Sequence, residues 1–289
     1  MHLSKGIYAL TIASISFGSS AIFVRFATEA SALSLTFFRL SIAAVAMILL
    51  AYQKRVPFRL GMVDLVLVTV SGLMLSLHFA AFILAVKFTT VANATFLVNT
   101  SPVWLAALSP VLLKERTTSR ESIGVIIGTI GILLVANGGN GFQYFGLPDI
   151  SALLAALFIS FYSIIGRLLR RRGVSTACYT AYVYSTASVV AILLAQVSGS
   201  SIFRTYNVTN TIAILGLAFV PTMLGHSLYN YSLGSVKIVT ANLFPLMEPI
   251  IASVLAVVLF RETPGIIQLV GYIVILTAVG AVVAGSAEC

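Results

Sequence analysis

Ten apolar segments, each close to the length that crosses a lipid bilayer, follow one another along this chain with very little between them. Divided at polar, glycine and proline clusters, the segments are 6–26, 32–52, 63–86, 91–113, 121–137, 149–169, 176–197, 210–233, 239–260 and 266–285. A spanning helix takes about 20 apolar residues, and inside lipid only helices and closed barrels satisfy every backbone N–H and C=O. Ten such helices consume nearly all of the 289 residues. The expected fold class is therefore an all-α, polytopic membrane protein, with no room for an extramembrane catalytic or nucleotide-binding domain. Composition agrees, since 59% of the residues are hydrophobic and 9% charged, against roughly 45–50% and 25% in soluble domains. The stretch from Ile7 to Phe26 is long enough to span and lacks a small-residue cleavage pattern, so it reads as the first helix and not as a signal peptide.

A net charge of +9 would suggest nucleic-acid or acidic partners in a soluble protein. Here the lipid bilayer is the expected partner, nucleic acid is not, and the cations record sidedness. With the N-terminus in the cytoplasm, one side collects Lys5, Lys54, Arg55, Arg59, Lys114, Arg116, Arg120, Arg167, Arg170, Arg171, Arg172 and Lys237. The other side holds Arg25, Lys87, Arg204 and Arg261, and Arg39 lies inside a segment. An excess of this kind over short loops places the basic side in the cytoplasm. Both termini are expected there, in a multi-pass protein of the inner or plasma membrane.

The chain also repeats itself. Residues 111–117 read VLLKERT and residues 258–264 read VLFRETP, a shift of 147. The same shift pairs Ala94 with Ala241, Pro102 with Pro249, Glu115 with Glu262, Gly124 with Gly271 and Gly138 with Gly285. Two five-helix repeats are expected at 1–138 and 148–285, followed by a short tail at 286–289. Because five is odd, the second repeat must enter the membrane upside down. Inverted repeats are characteristic of secondary transporters, whose halves rock about a site near the bilayer midplane.

Several stretches carry a family resemblance: SFGSSAIFVRFA in helix 1, FFRLSIAA in helix 2, ANATFLVNTSPVWLAALSPVLLKE in helix 4 and ANLFPLMEPIIASVLAVVLFRE in helix 9. In these the chain resembles the drug/metabolite transporter superfamily, and within it the EamA-type exporters. The resemblance spans nearly the whole chain and implies export of amino acids, metabolites or drugs, without choosing among them. It also implies that an arginine in helix 2 and a glutamate before the helix 9 proline are common features. Helix 7 departs from the repeat, with Val183 or Tyr184 where Arg39 has its counterpart.

An ionisable side chain at the bilayer centre costs at least about 2.5–3.5 kcal/mol on insertion scales, so each calls for a partner or a wet cavity. Four are present: Arg39, His78, His226 and Glu248. At 1.5 Å per residue, Arg39 and His78 lie roughly 10–13 Å below the outer ends of their helices, and Glu248 about 13–15 Å from the inner start of helix 9. Glu248 can take up a proton or hold a cation, which makes protons a candidate partner, or it can cap the kink at Pro249. Arg39 can bind a substrate carboxylate or brace helix 2. The two histidines serve either as solute or proton ligands or as hydrogen-bonded core groups.

Helical spacing puts Asn93, Phe96, Thr100 and Trp104 on one face of helix 4, with Asn99 beside them, and Thr240, Phe244, Met247, Glu248 and Ile251 on one face of helix 9. With His78 and Phe82 from helix 3 and His226, Tyr229 and Asn230 from helix 8, these faces form a candidate solute cavity. The triplet Asn93-Ala94-Thr95 lies inside a span and is discounted as a glycosylation site. Gly124, Gly128 and Gly131 offer a small-residue face for close helix approach, within one chain or between two, so monomer and homodimer stay open. Glu115 and Glu262 read as interfacial partners of Lys114 and Arg261. Cys178 and Cys289 are not expected to meet.

No GxxxxGK[ST] loop occurs, so the chain is not expected to drive an ATP-powered pump by itself. With His2, His78 and His226 as the only histidines there is no HExxH, and no metal or other cofactor is expected. No nucleophile sits beside a base in the sequence, so no enzyme is expected. What remains is a secondary transporter exporting a small-molecule solute by alternating access. The first alternative is a passive facilitator or exchanger of small metabolites; a membrane-integral enzyme using Arg39, Glu248 and a histidine ranks behind it.

Overall fold

A computed structural model describes residues 2–138, 146–261 and 263–286. Ten helices among them are long and apolar enough to cross a membrane. Spans 1 to 5 are Leu3–Phe26, Ala32–Gln53, Met62–Phe88, Asn93–Leu112 and Ser119–Asn137. Spans 6 to 10 are Leu147–Arg171, Thr176–Val197, Val208–Ser232, Ile238–Leu259 and Ile266–Gly285. Every segment expected from the sequence is present, with ends displaced by a few residues.

The starts follow from local chemistry. The first N–H groups of a helix have no partner within it, and a preceding hydroxyl or amide can accept from them. Ser31, Thr90, Thr118, Ser175 and Asn207 each do so, from the backbone N–H three residues on. At Thr118 the cap is reciprocal, with the Glu121 carboxylate accepting the Thr118 N–H at 2.8 Å. The position 147 residues later keeps one of the two bonds, where Gln268 accepts the Gly265 N–H at 2.9 Å.

The contacts between spans have a regular order. Spans 2 and 7, 4 and 9, and 5 and 10 pack on one another. Span 3 packs on 6 and 7, as span 8 packs on 1 and 2; span 4 packs on 6, as span 9 packs on 1. Exchanging each span for the one five places on turns this set into itself. Spans 5 and 10 approach closely, so that a Cβ on Gly271 would lie 2.7 Å from the Gly131 carbonyl oxygen. Gly124 and Gly128 face Val282 and Leu246. The small-residue face is thus filled from within the chain.

Four spans are interrupted. Span 1 turns at Ser19, span 4 divides at Asn99 and Thr100, span 8 holds a π-helix over Ala218–His226, and span 9 holds a 3₁₀ turn over Phe244–Met247. The interruptions of spans 4 and 9 fall at matching places, since Asn99 and Thr100 shifted by 147 become Leu246 and Met247. Prolines explain the interruptions of spans 4, 8 and 9: Pro102, Pro221, Pro245 and Pro249 each remove a backbone donor, and the ring crowds the preceding turn, whereas span 1 turns without one.

One sequence expectation needs correction. Glu115 does not pair with Lys114 but with Arg167 at 2.7 Å and Arg171 at 3.4 Å, both on span 6. The cause is the backbone at Lys114, whose φ of 56° turns the chain left-handed and separates the two side chains. Arg167 also donates to the Leu233 carbonyl at 2.5 Å, and Glu115 accepts from the Ile238 N–H at 3.3 Å. Spans 4, 6, 8 and 9 are therefore tied together at one membrane face. Glu262, the counterpart of Glu115, and Cys289 lie outside the described residues; Cys178 is buried with a free thiol.

Candidate solute cavity

The interrupted spans surround one cavity of about 70 Å³. All four ionisable side chains picked out within the spans, Arg39, His78, His226 and Glu248, line it. So do Phe82, Asn99 and Tyr229, together with Phe17, Phe79, Ser101 and Asn242. A cavity of this size holds several waters.

Arg39 is 1% exposed. Its Nε donates to the Thr222 hydroxyl at 2.8 Å, and its guanidinium carbon lies 3.7 Å over the Phe79 ring. Such stacking attracts a cation to the ring face. Arg39 Nη1 is buried without a hydrogen-bond partner among the described residues. Glu248 is near enough to interact with Arg39 electrostatically. Arg167, Arg171 and Arg172 form ion pairs with Glu115 and Asp64, whereas Arg39 forms none among the described residues. The Asn99 amide lies within hydrogen-bonding reach of the Glu248 carboxylate and donates to the Thr95 carbonyl at 2.8 Å.

The two imidazoles stand edge to face, 6.3 Å between centroids. His78 Nδ1 is 2.9 Å from the Ala155 carbonyl oxygen, which can only accept. That bond puts the ring proton on Nδ1 and leaves Nε2 as an acceptor. His226 is packed between Phe17 and Phe79, at 4.8 and 4.9 Å, and its Nδ1 has no partner among the described residues. A chain of hydrogen bonds closes one wall: Ser101 donates to Asn242 at 2.8 Å, Asn242 to Tyr229 at 2.9 Å, and Tyr229 to Ser163 at 3.0 Å.

The remaining residues selected from the sequence are placed elsewhere. Asn93 is buried nearer the end of span 4, and Phe96 is half-buried between the two hydrophobic clusters. Thr100 donates to the Leu97 carbonyl at 2.7 Å and so closes the break in its own span. Trp104 is 39% exposed on the outside of the bundle. Asn230 is buried against the Tyr162 hydroxyl and the His226 carbonyl. Phe244 and Met247 pack into the second hydrophobic cluster. A face drawn at 100° per residue assumes an unbroken helix, and spans 4 and 9 are broken in the middle of the expected faces.

Phe17, Phe79, Thr222 and Asn242 had not been singled out. Only Thr222 carried a readable signal, as the hydroxyl following an intramembrane proline.

Ten spans around a cavity lined by four ionisable side chains define an integral, multi-pass membrane protein. The chain belongs to the EamA-like transporter family, which it matches over residues 4–137 and 146–284. It is 24% identical over 285 residues to an uncharacterized transporter of Archaeoglobus fulgidus, covering 96% of each chain. It is 25% identical over 278 residues to a protein of Streptantibioticus cattleyicolor named "Probable terminal-alkyne amino-acid exporter", covering 94% of this chain and 91% of that one. It is 25% identical over 224 residues to a "Probable amino-acid metabolite efflux pump" of Salmonella typhimurium, covering 74% and 75%. A solved crystal structure shares the fold with a TM-score of 0.82 at 17% identity, covering 99% of this chain and 98% of the other.

Proposed function

We propose that this protein exports a small metabolite of the amino-acid class from the cytoplasm by alternating access, with protons as the coupling ion. The observation that carries the proposal is the cavity itself. Opposite charges, Arg39 and Glu248, face a single small space beside matched breaks in spans 4 and 9. A zwitterion is complementary to that pair. The printed names of two relatives support the amino-acid class.

Residues 1–138 and 148–285 act as inverted repeats, with both termini cytoplasmic. Spans 3 and 4 move against spans 8 and 9 to open one side at a time. Glu248 is the coupling group: protonated, it releases the solute's cationic end; deprotonated, it receives it. Asn99 holds the carboxylate in both states.

The test is transport in sealed proteoliposomes. An imposed pH gradient drives uphill movement of an amino acid in the unmodified protein. Glu248→Gln loses the gradient-driven component and retains exchange down a solute gradient. An unchanged pH profile in Glu248→Gln excludes coupling through this residue and favours a passive facilitator.

A further inference from the structure

The π-helix of span 8 explains how the buried guanidinium is held. Pro221 has no N–H, so the carbonyl of Leu217, four residues back, lacks its ordinary helical donor. The turn lengthens here, so that the Leu217 carbonyl is met five residues on, by the π-helical backbone and also by the Thr222 hydroxyl, which donates to it at 2.7 Å. With its proton committed, the Thr222 oxygen has lone pairs only for a further donor, and it accepts from Arg39 Nε at 2.8 Å. The Tyr184 hydroxyl donates to the Thr222 carbonyl at 3.1 Å and fixes the turn from span 7. π-Helical segments within α-helices recur at functional sites.

The guanidinium is thus oriented on two sides, by Thr222 at Nε and by the Phe79 ring under its face. Its Nη1 is left buried, on a residue that lines the cavity, without a hydrogen-bond partner among the described residues. A buried, unpaired cation is strongly unfavourable, and a planar fork of N–H donors matches a carboxylate. A phosphate dianion fits less well, because a single guanidinium serves it and Glu248 stands in the same small space.

We infer that Arg39 is the receptor for a carboxylate on the transported solute and that Thr222 is the residue that positions it. The inference rests on the export reading above but fixes one requirement of its own: the solute has a carboxylate at one end. Solutes that keep the cationic end and lose the acid are rejected.

The test is equilibrium binding to the purified full-length protein, read separately from vesicle transport. The probes are the common amino acids and short-chain carboxylates, followed by the carboxamide and the decarboxylated amine of the best binder. The expected result is binding of the acid at least about tenfold tighter than of either neutral-ended analogue. Thr222→Val, which keeps the shape and removes the acceptor, weakens acid binding about tenfold and leaves the weak amide binding unchanged. Thr222→Ser restores the acid. If no acid binds, if acid and amide bind alike, or if Thr222→Val weakens both equally, the inference is overturned. Acid-selective binding with no transport in sealed vesicles would overturn the export reading and leave the receptor standing.

Discussion

Lys114 and Arg261, 147 residues apart, share a left-handed backbone, with φ of 56° and 57°. Each follows a helix that forms part of a broken span, span 4 before Lys114 and span 9 before Arg261. Neither is a glycine, so each holds a conformation costing roughly 1–2 kcal/mol for an L-residue. The same strained turn at matched positions extends the sequence repeat down to single dihedral angles.

A β-branched residue tolerates that conformation least. Lys114→Val and Arg261→Val should each lower stability by about 1–2 kcal/mol relative to glycine at the same place. Lys5→Val, on an ordinary helical backbone, should cost far less. Thermal melting in detergent measures all of these.

Spans 5 and 10 make a second stability test. A Cβ at Gly131 would meet Ile275 at 2.8 Å and the Gly271 oxygen at 3.1 Å, whereas a Cβ at Gly280 would have nothing within 4 Å. Gly131→Ala and Gly271→Ala should each destabilise the protein by about 1–3 kcal/mol through overpacking. Gly280→Ala should be neutral or slightly stabilising. Equal melting of the three variants would remove the close-approach explanation.

Much of this architecture was written in the sequence. Helix count and span limits follow from hydropathy, because lipid leaves the backbone few options. The ionisable residues of the cavity were readable for the same reason: Arg39, His78, His226 and Glu248 stand out against an apolar background. The cavity wall was less readable. Trp104 and Met247 lie on helical faces that exist only if spans 4 and 9 run unbroken, and prolines interrupt both. Phe79 was hidden because an aromatic side chain in an apolar span carries no label, and its role depends on the position of Arg39. Glu115 misled because sequence adjacency to Lys114 conceals a left-handed turn between them.

The clasp at Glu115 predicts energetic coupling. Glu115 is 13% exposed and meets Arg167, itself 12% exposed. A double-mutant cycle with Glu115→Ala and Arg167→Ala should give a coupling energy of about 1 kcal/mol or more. Purely additive losses in melting stability would mean that the pair contributes nothing as a pair.

Cavity position separates residues of similar chemistry. Phe82 lines the cavity and Trp104 faces outward. Phe82→Ala should weaken amino-acid binding by about tenfold or more, equivalent to about 1.4 kcal/mol. Trp104→Ala should leave binding within about twofold of the unmodified protein, a difference of roughly 0.4 kcal/mol. Isothermal titration in detergent reads both; a reversed order would move the solute site out of this cavity.

The most direct measurement is counterflow. Proteoliposomes loaded with an unlabelled amino acid and diluted into a trace of the labelled one, with no ion gradient, should accumulate label transiently above the outside concentration. Empty liposomes should not. Such an overshoot requires a single site that faces the two sides in turn. No protein-dependent overshoot with any acid that binds, or chemical conversion of that acid in detergent, would contradict the account.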